Sequence, residues 1–163
     1  MKKTLFAIFL SLLLVVSLTA CKSNGGSSLK KQTLICTKET KDSNGKKSSQ
    51  KVVATYVNSK IDTVNSEIVT ETDPKYIDVV ISASSTIVDK LNSIDGLTVK
   101  YSKASKNEIK ITMNMDYNKL DPKQIKETLG SLYSEEDSGL YNLKDVTISD
   151  LKKEMKKNGY SCK

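Results

Sequence analysis

The apolar positions of this chain follow two periods, and the places where one gives way to the other divide it into elements. Residues 32–38 and 51–57 are rich in β-branched side chains and flank a polar stretch, residues 41–50, with Asn44-Gly45 near its middle. That layout predicts a β-hairpin. Asn58-Ser59-Lys60 is a second turn signal, and it leads into residues 61–70, where Ile61 falls one residue out of phase with Val64, Ser66 and Ile68. A strand with that defect needs a bulge or a twist. The first half therefore reads as a three-stranded antiparallel meander.

The period then changes to three and four. Asp73-Pro74 offers a side-chain acceptor for free backbone N–H groups and a first-turn residue that lacks a donor, a pairing that opens helices. Ile77, Val80, Ile81, Ile87, Val88, Leu91 and Ile94 follow on one apolar face broken only by Ser84, and Gly96 closes it. Leu97, Val99 and Tyr101 alternate with polar residues, and after a turn at residues 105–107 the alternation resumes at Ile109, Ile111, Met113, Met115 and Tyr117. Asp121-Pro122 repeats the helix-opening signal, with Ile125, Leu129 and Leu132 on one face before the polar loop 134–139. A last helix begins at Thr147 or Ser149, turns Ile148, Leu151 and Met155 inward, and stops at Asn158-Gly159. The order βββ-α-ββ-α-α predicts an α+β fold, an antiparallel β-sheet with helices packed on one face.

The first 31 residues are of another kind. Lys2 and Lys3 form a positive start, residues 5–16 an almost unbroken apolar run, and residues 17–20 a small-residue approach to a cleavage site. The run is short of the roughly 20 apolar residues that a membrane span needs. Leu18-Thr19-Ala20-Cys21 resembles the lipobox of bacterial lipoproteins. The resemblance implies cleavage between Ala20 and Cys21 and a diacylglyceryl group on the Cys21 thiol; two acyl chains anchor stably where one is marginal. Residues 22–31 are a Gly/Ser tether with a root-mean-square reach of about 17 Å. The expected division is a signal peptide at 1–20, the lipidated cysteine and tether at 21–31, and one α+β domain at 32–163. Such a protein sits on the extracytoplasmic face of the cell membrane, with the lipid bilayer as its partner through the Cys21 lipid.

Composition narrows the rest. Losing 20 of 163 residues leaves one domain's length, and losing two of the 26 basic residues leaves 24 against 19 carboxylates, a net charge of +5. Every basic residue is a lysine, both phenylalanines lie in the signal, and histidine is absent. A Ser-His or Cys-His pair, an imidazole base and a histidine-containing zinc site are thereby excluded. Without arginine, and exported, the chain is not expected to meet nucleic acid. Once Cys21 is acylated, Cys36 and Cys162 remain, an even pair in a compartment where thiols oxidise, so a Cys36–Cys162 disulfide joining the two ends of the domain is expected; the alternative is two free thiols. Glu135, Glu136 and Asp137 lack the spacing of a calcium loop and read as a solvated loop. Met113 and Met115, two apart on a strand, read as core rather than as thioether ligands. No catalytic residue, cofactor or metal site is expected.

The layout, with the ending Met155-Lys156-Lys157-Asn158-Gly159-Tyr160-Ser161-Cys162-Lys163, resembles the YehR-like family of small bacterial lipoproteins: a lipobox, a β-rich first half, a central helix, further strands and a C-terminal helix. The resemblance covers most of the mature chain and implies a fold and a location, with no reaction or ligand. A tethered domain bare of catalytic arrangements points to a binding or interaction module for an envelope protein or ligand. The alternative is a structural envelope protein held by its lysines to anionic wall or lipid polymers.

Overall fold

Period-two alternation becomes one six-stranded antiparallel sheet in the computed structural model, which describes residues 30–129 and 146–163. The expected signal peptide, Cys21, most of the tether, Leu132 and the acidic loop 134–139 lie outside the described residues. Strands β1 (Gln32–Lys41), β2 (Lys47–Val57) and β3 (Lys60–Glu71) form the expected meander, and β4 (Leu97–Ser105) and β5 (Glu108–Asp116) the second hairpin. The first two strands run further into the polar stretch than the β-branched residues alone indicate. The turn is pinned by Asp42, whose carboxylate accepts the N–H groups of Asn44 at 2.8 Å and Lys46 at 2.9 Å, and Gly45 takes φ +77°.

The expected bulge falls at Asp62. Thr55 faces Thr63 while Tyr56 faces Ile61, so Asp62 is the extra residue. The kink explains the phase defect: Ile61 and Val64 both point inward, each 2% exposed. Strand β5, not β4, pairs with β3, which sets the order β4-β5-β3-β2-β1-β6.

Helix α1 (Ile77–Asn92) is entered through a 3₁₀ turn at Pro74–Tyr76, with the Asp73 carboxylate accepting the Lys75 N–H at 3.2 Å. Ile77 and Leu91 are buried, and Ile94 is buried in the turn that follows. Ile87, expected on the apolar face, is instead 45% exposed. At about 100° per residue it lies roughly 80° round from Ile77, at the margin of the arc that meets the sheet. Gly96, at φ +80°, follows the helix rather than ending it, and a Cβ there would stand 2.8 Å from the Asp116 carbonyl oxygen. Helices α2 (Pro122–Leu129) and α3 (Ile148–Lys157) add to the helical layer; α3 opens with a reciprocal Thr147–Asp150 capping box.

The inner face of the sheet carries the core. Leu34, Cys36, Val52, Ala54, Val64, Val99, Met113 and Met115 meet Leu91, Ile125, Leu151 and Met155 from the helices. Ile68, Ile109 and Ile111 form a second cluster around Ile77. Met113 and Met115 are 4% and 5% exposed and serve as core, as their spacing implies.

One edge of the sheet is closed by a side chain. The Asn92 amide donates to the Val99 carbonyl at 3.1 Å and accepts the Val99 N–H at 2.6 Å, so it occupies the place of a seventh strand on β4. Open strand edges invite pairing with other chains, and this clamp removes part of that edge. Asn92→Ala should destabilise the domain by about 1–3 kcal/mol. Thermal unfolding measures the loss, and amide exchange at Val99, faster in the variant, locates it.

Candidate functional site

Of the residues singled out in the sequence, Cys36 and Cys162 are brought together. After α3 the chain turns at Gly159 and returns as β6 (Ser161–Cys162), a two-residue strand that pairs with β1. Cys162 faces Cys36 with their Cα atoms 4.1 Å apart, inside the roughly 7 Å within which a bridge closes. The pair stands at disulfide distance. The return is held further by reciprocal Ile35–Lys163 backbone hydrogen bonds, both 3.0 Å, by Lys38 Nζ on the Asn158 carbonyl at 2.7 Å, and by the Tyr160 hydroxyl donating to Gln50 Oε1.

Among the described residues, no helix lies on the other face of the sheet. Strand register aligns its side chains in rows that cross four or five strands. One row reads Thr37, Lys51, Glu67, Thr112, Lys100; the next reads Ile35, Val53, Asn65, Asn114, Thr98. Lys110 reaches diagonally to Glu67 at 3.4 Å. These rows line a depression of about 380 Å³ that includes Lys51, Asn65, Glu67, Thr112 and Asn114, and a second of about 490 Å³ shares Lys51 and Glu67 and runs toward β6. The lining offers amide, hydroxyl, ammonium and carboxylate groups set among aliphatic surface that includes Val53, and no aromatic ring. It suits a polar ligand held by hydrogen bonds and paired charges rather than one held by stacking.

At the β2–β3 end, where the tether enters, the bulge residue Asp62 pairs with Lys31 and accepts the Asn118 amide at 2.5 Å. The Lys31 ammonium, with Asn118 beside it, holds the Asp62 carboxyl below the usual carboxylate range. The bulge thus ties the entry of β1 to the exit of β5. Next to it, burial pushes the Tyr117 hydroxyl up to about 12 from its ordinary 10.0. The folded chain therefore keeps that proton to a higher pH than the unfolded chain does. The stability this difference supplies is complete below about pH 10 and is lost as pH rises through about 12. Tyr117→Phe should flatten the alkaline fall in the denaturant midpoint that the unsubstituted chain shows over this window.

Among the described residues no group of three or more His, Cys, Asp or Glu side chains is placed to hold a metal ion, and no helix is long and apolar enough to cross a membrane.

No protein-family description and no curated protein sequence matches the chain. Solved structures do. An NMR structure of a protein from Streptococcus pneumoniae TIGR4 matches with a TM-score of 0.54 and 17% identity, covering 91% of this chain and 93% of that one. The NMR structure of the E. coli YehR protein matches with a TM-score of 0.56 and 16% identity, covering 83% and 93%. The fold is YehR-like. The YehR-like α+β layout expected from the sequence is therefore found in three dimensions, and at these identities the likeness speaks for the fold alone. Neither neighbour is described by a ligand or a reaction.

Sequence reasoning missed the polar rows, because they join strands far apart in the chain. Alternation marks Lys51, Asn65, Glu67, Thr112 and Asn114 as outward-facing; the β2–β3 hairpin sets Lys51 beside Glu67, but only the β3–β5 pairing adds Thr112 and Asn114 to them.

Proposed function

We propose that this chain is an exported lipoprotein, anchored through acylated Cys21 to the outer face of the cell membrane, and that its domain is a recognition module without catalytic activity. The bilayer is its first partner, and an envelope protein or envelope ligand its second. The lipobox-like Leu18-Thr19-Ala20-Cys21 and the apolar run before it support the anchor. The observation that carries the recognition reading is the asymmetry of the sheet: among the described residues one face is filled by core and helices, while the other is open, indented and carries polar side chains among aliphatic ones. A stable scaffold with one exposed, chemically varied face suits binding rather than turnover.

Site-specific photo-crosslinking in intact cells tests this reading. A crosslinker at Asn65 or Asn114, on the open face, should yield discrete adducts, and one at Ser85, exposed on α1, should not. Adducts from Ser85 alone, or equal adducts from both faces, would move recognition off the sheet.

A further inference from the structure

Helix α3 segregates its charge. Leu151 and Met155 are buried in the core beside Leu34, Cys36, Val52 and Ala54, so α3 lies on the inner side of the sheet, over β1. Lys152, Lys153, Lys156 and Lys157 are all exposed. At about 100° per residue, Lys153 and Lys157 stand roughly opposite the buried pair, and Lys152 and Lys156 fill one flank. The helix's two carboxylates occupy the other flank and are engaged locally. Asp150 accepts from the Thr147 hydroxyl at 2.6 Å and the Thr147 N–H at 3.2 Å; Glu154 accepts from Asn158 Nδ2 at 3.0 Å and faces Lys157 at 3.9 Å. The ammonium groups of Lys152, Lys153 and Lys156 have no ion pair or hydrogen bond among the described residues. A lysine-rich face with its acids turned aside is more than the interleaved charge found elsewhere on this surface.

We infer that this face docks on the anionic lipid surface of the membrane that carries the anchor. The inference rests on the lipid anchor proposed above. A tether with a reach of about 17 Å keeps α3 beside the bilayer, and the surface potential of anionic lipid acts within a Debye length of about 8 Å. Each lysine held there favours the docked state by about fivefold. A lipid chain and a basic patch are complementary membrane signals. Docking through α3 has a geometric consequence. The helical layer turns toward the lipid, and the open sheet face turns away from it, toward the partner that face receives.

Lipid-headgroup quenching on vesicles tests the orientation with the mature, acylated chain. Ser149→Cys on α3 and Asn65→Cys on the open face each carry a fluorophore, and nitroxide-headgroup lipid is the quencher. In phosphatidylcholine vesicles containing phosphatidylglycerol, quenching at position 149 should exceed that at 65 several-fold. In phosphatidylcholine alone, at about 0.5 M salt, or with Lys→Gln at 152, 153, 156 and 157, the difference should disappear; Lys→Arg at the same positions should keep it. Equal quenching at both positions on anionic vesicles overturns the inference, as does a difference that survives the four glutamines. Equal quenching with retention of the chain by soluble polyphosphate overturns it in favour of a wall polymer. A chain that does not float with phosphatidylcholine vesicles refutes the anchor instead. Its salt-sensitive flotation with anionic vesicles, lost in the glutamine variant, would then still support the α3 face, and failure to float with them would overturn it.

Discussion

Cys162→Ser should lower the thermal midpoint of the domain by roughly 10–20 °C, and a reducing agent should do the same to the unsubstituted chain while leaving the variant unchanged. The two cysteines are 126 residues apart in sequence, and closing so long a loop restricts the unfolded chain by about 5 kcal/mol at most. A small domain's whole stability is only about 5–15 kcal/mol, so even half of that figure is large. The position of the pair adds a structural reason. Strand β6 contributes two residues of pairing, and through it the C-terminal end of α3 is fastened to β1. The N-terminal end has its own attachments, the Ile148 N–H on the Ser59 carbonyl at 2.8 Å and the Lys60–Thr147 bridge. Without the disulfide, the C-terminal end of α3 is held only by the Ile35–Lys163, Lys38–Asn158 and Tyr160–Gln50 hydrogen bonds, and Leu151 and Met155 are held less firmly against the core. Position 162 is the better one to substitute, because Cys36 is 1% exposed and a serine there would also bury a hydroxyl. Two thiols free to label in the native, unreduced protein would contradict the pairing.

Cys21→Ala has the largest expected effect on location. On the proposed reading the Cys21 thiol accepts the lipid, and no other residue of Leu18-Thr19-Ala20-Cys21 carries a thiol. The substituted chain should either leave the membrane fraction or remain as the longer, uncleaved precursor. Domain stability should be unchanged, since Cys21 precedes the domain and is not one of the paired cysteines. A buried methylene contributes about 0.8 kcal/mol, so two acyl chains outweigh any contribution that lysines make to membrane retention. Fractionation of cells expressing either form gives the answer. A Cys21→Ala chain that is cut to mature length and stays with the membrane as before would remove the basis for the anchor.

Local signals carried further here than long-range ones. The out-of-phase Ile61 marked the bulge at Asp62, the Asp73-Pro74 pair marked the entry to α1, and the alternating Met113 and Met115 marked a core-facing strand, because each depends on residues close in sequence. Strand order depends on pairing between segments distant in the chain, and no period encodes that β5 lies between β4 and β3. The rows that cross the open face were hidden for that reason. Strand β6 was missed because two residues have no period. Asn92 at a helix end reads as an ordinary polar terminus, and its role as a clamp on Val99 needs the turn at Gly96 to bring β4 back beside the helix. Ile87 shows the opposite error. Its spacing fits the apolar face, but it lies at the margin of the arc that α1 turns to the sheet and stays 45% exposed.

The state of the mature N-terminus tests the central claim most directly. Mass spectrometry of the protein purified from membranes should find an N-terminal peptide that begins at Cys21 and carries a diacylglyceryl group on its sulfur. A peptide that retains residues before Cys21, or a mature Cys21 with a free thiol, would contradict the lipoprotein reading.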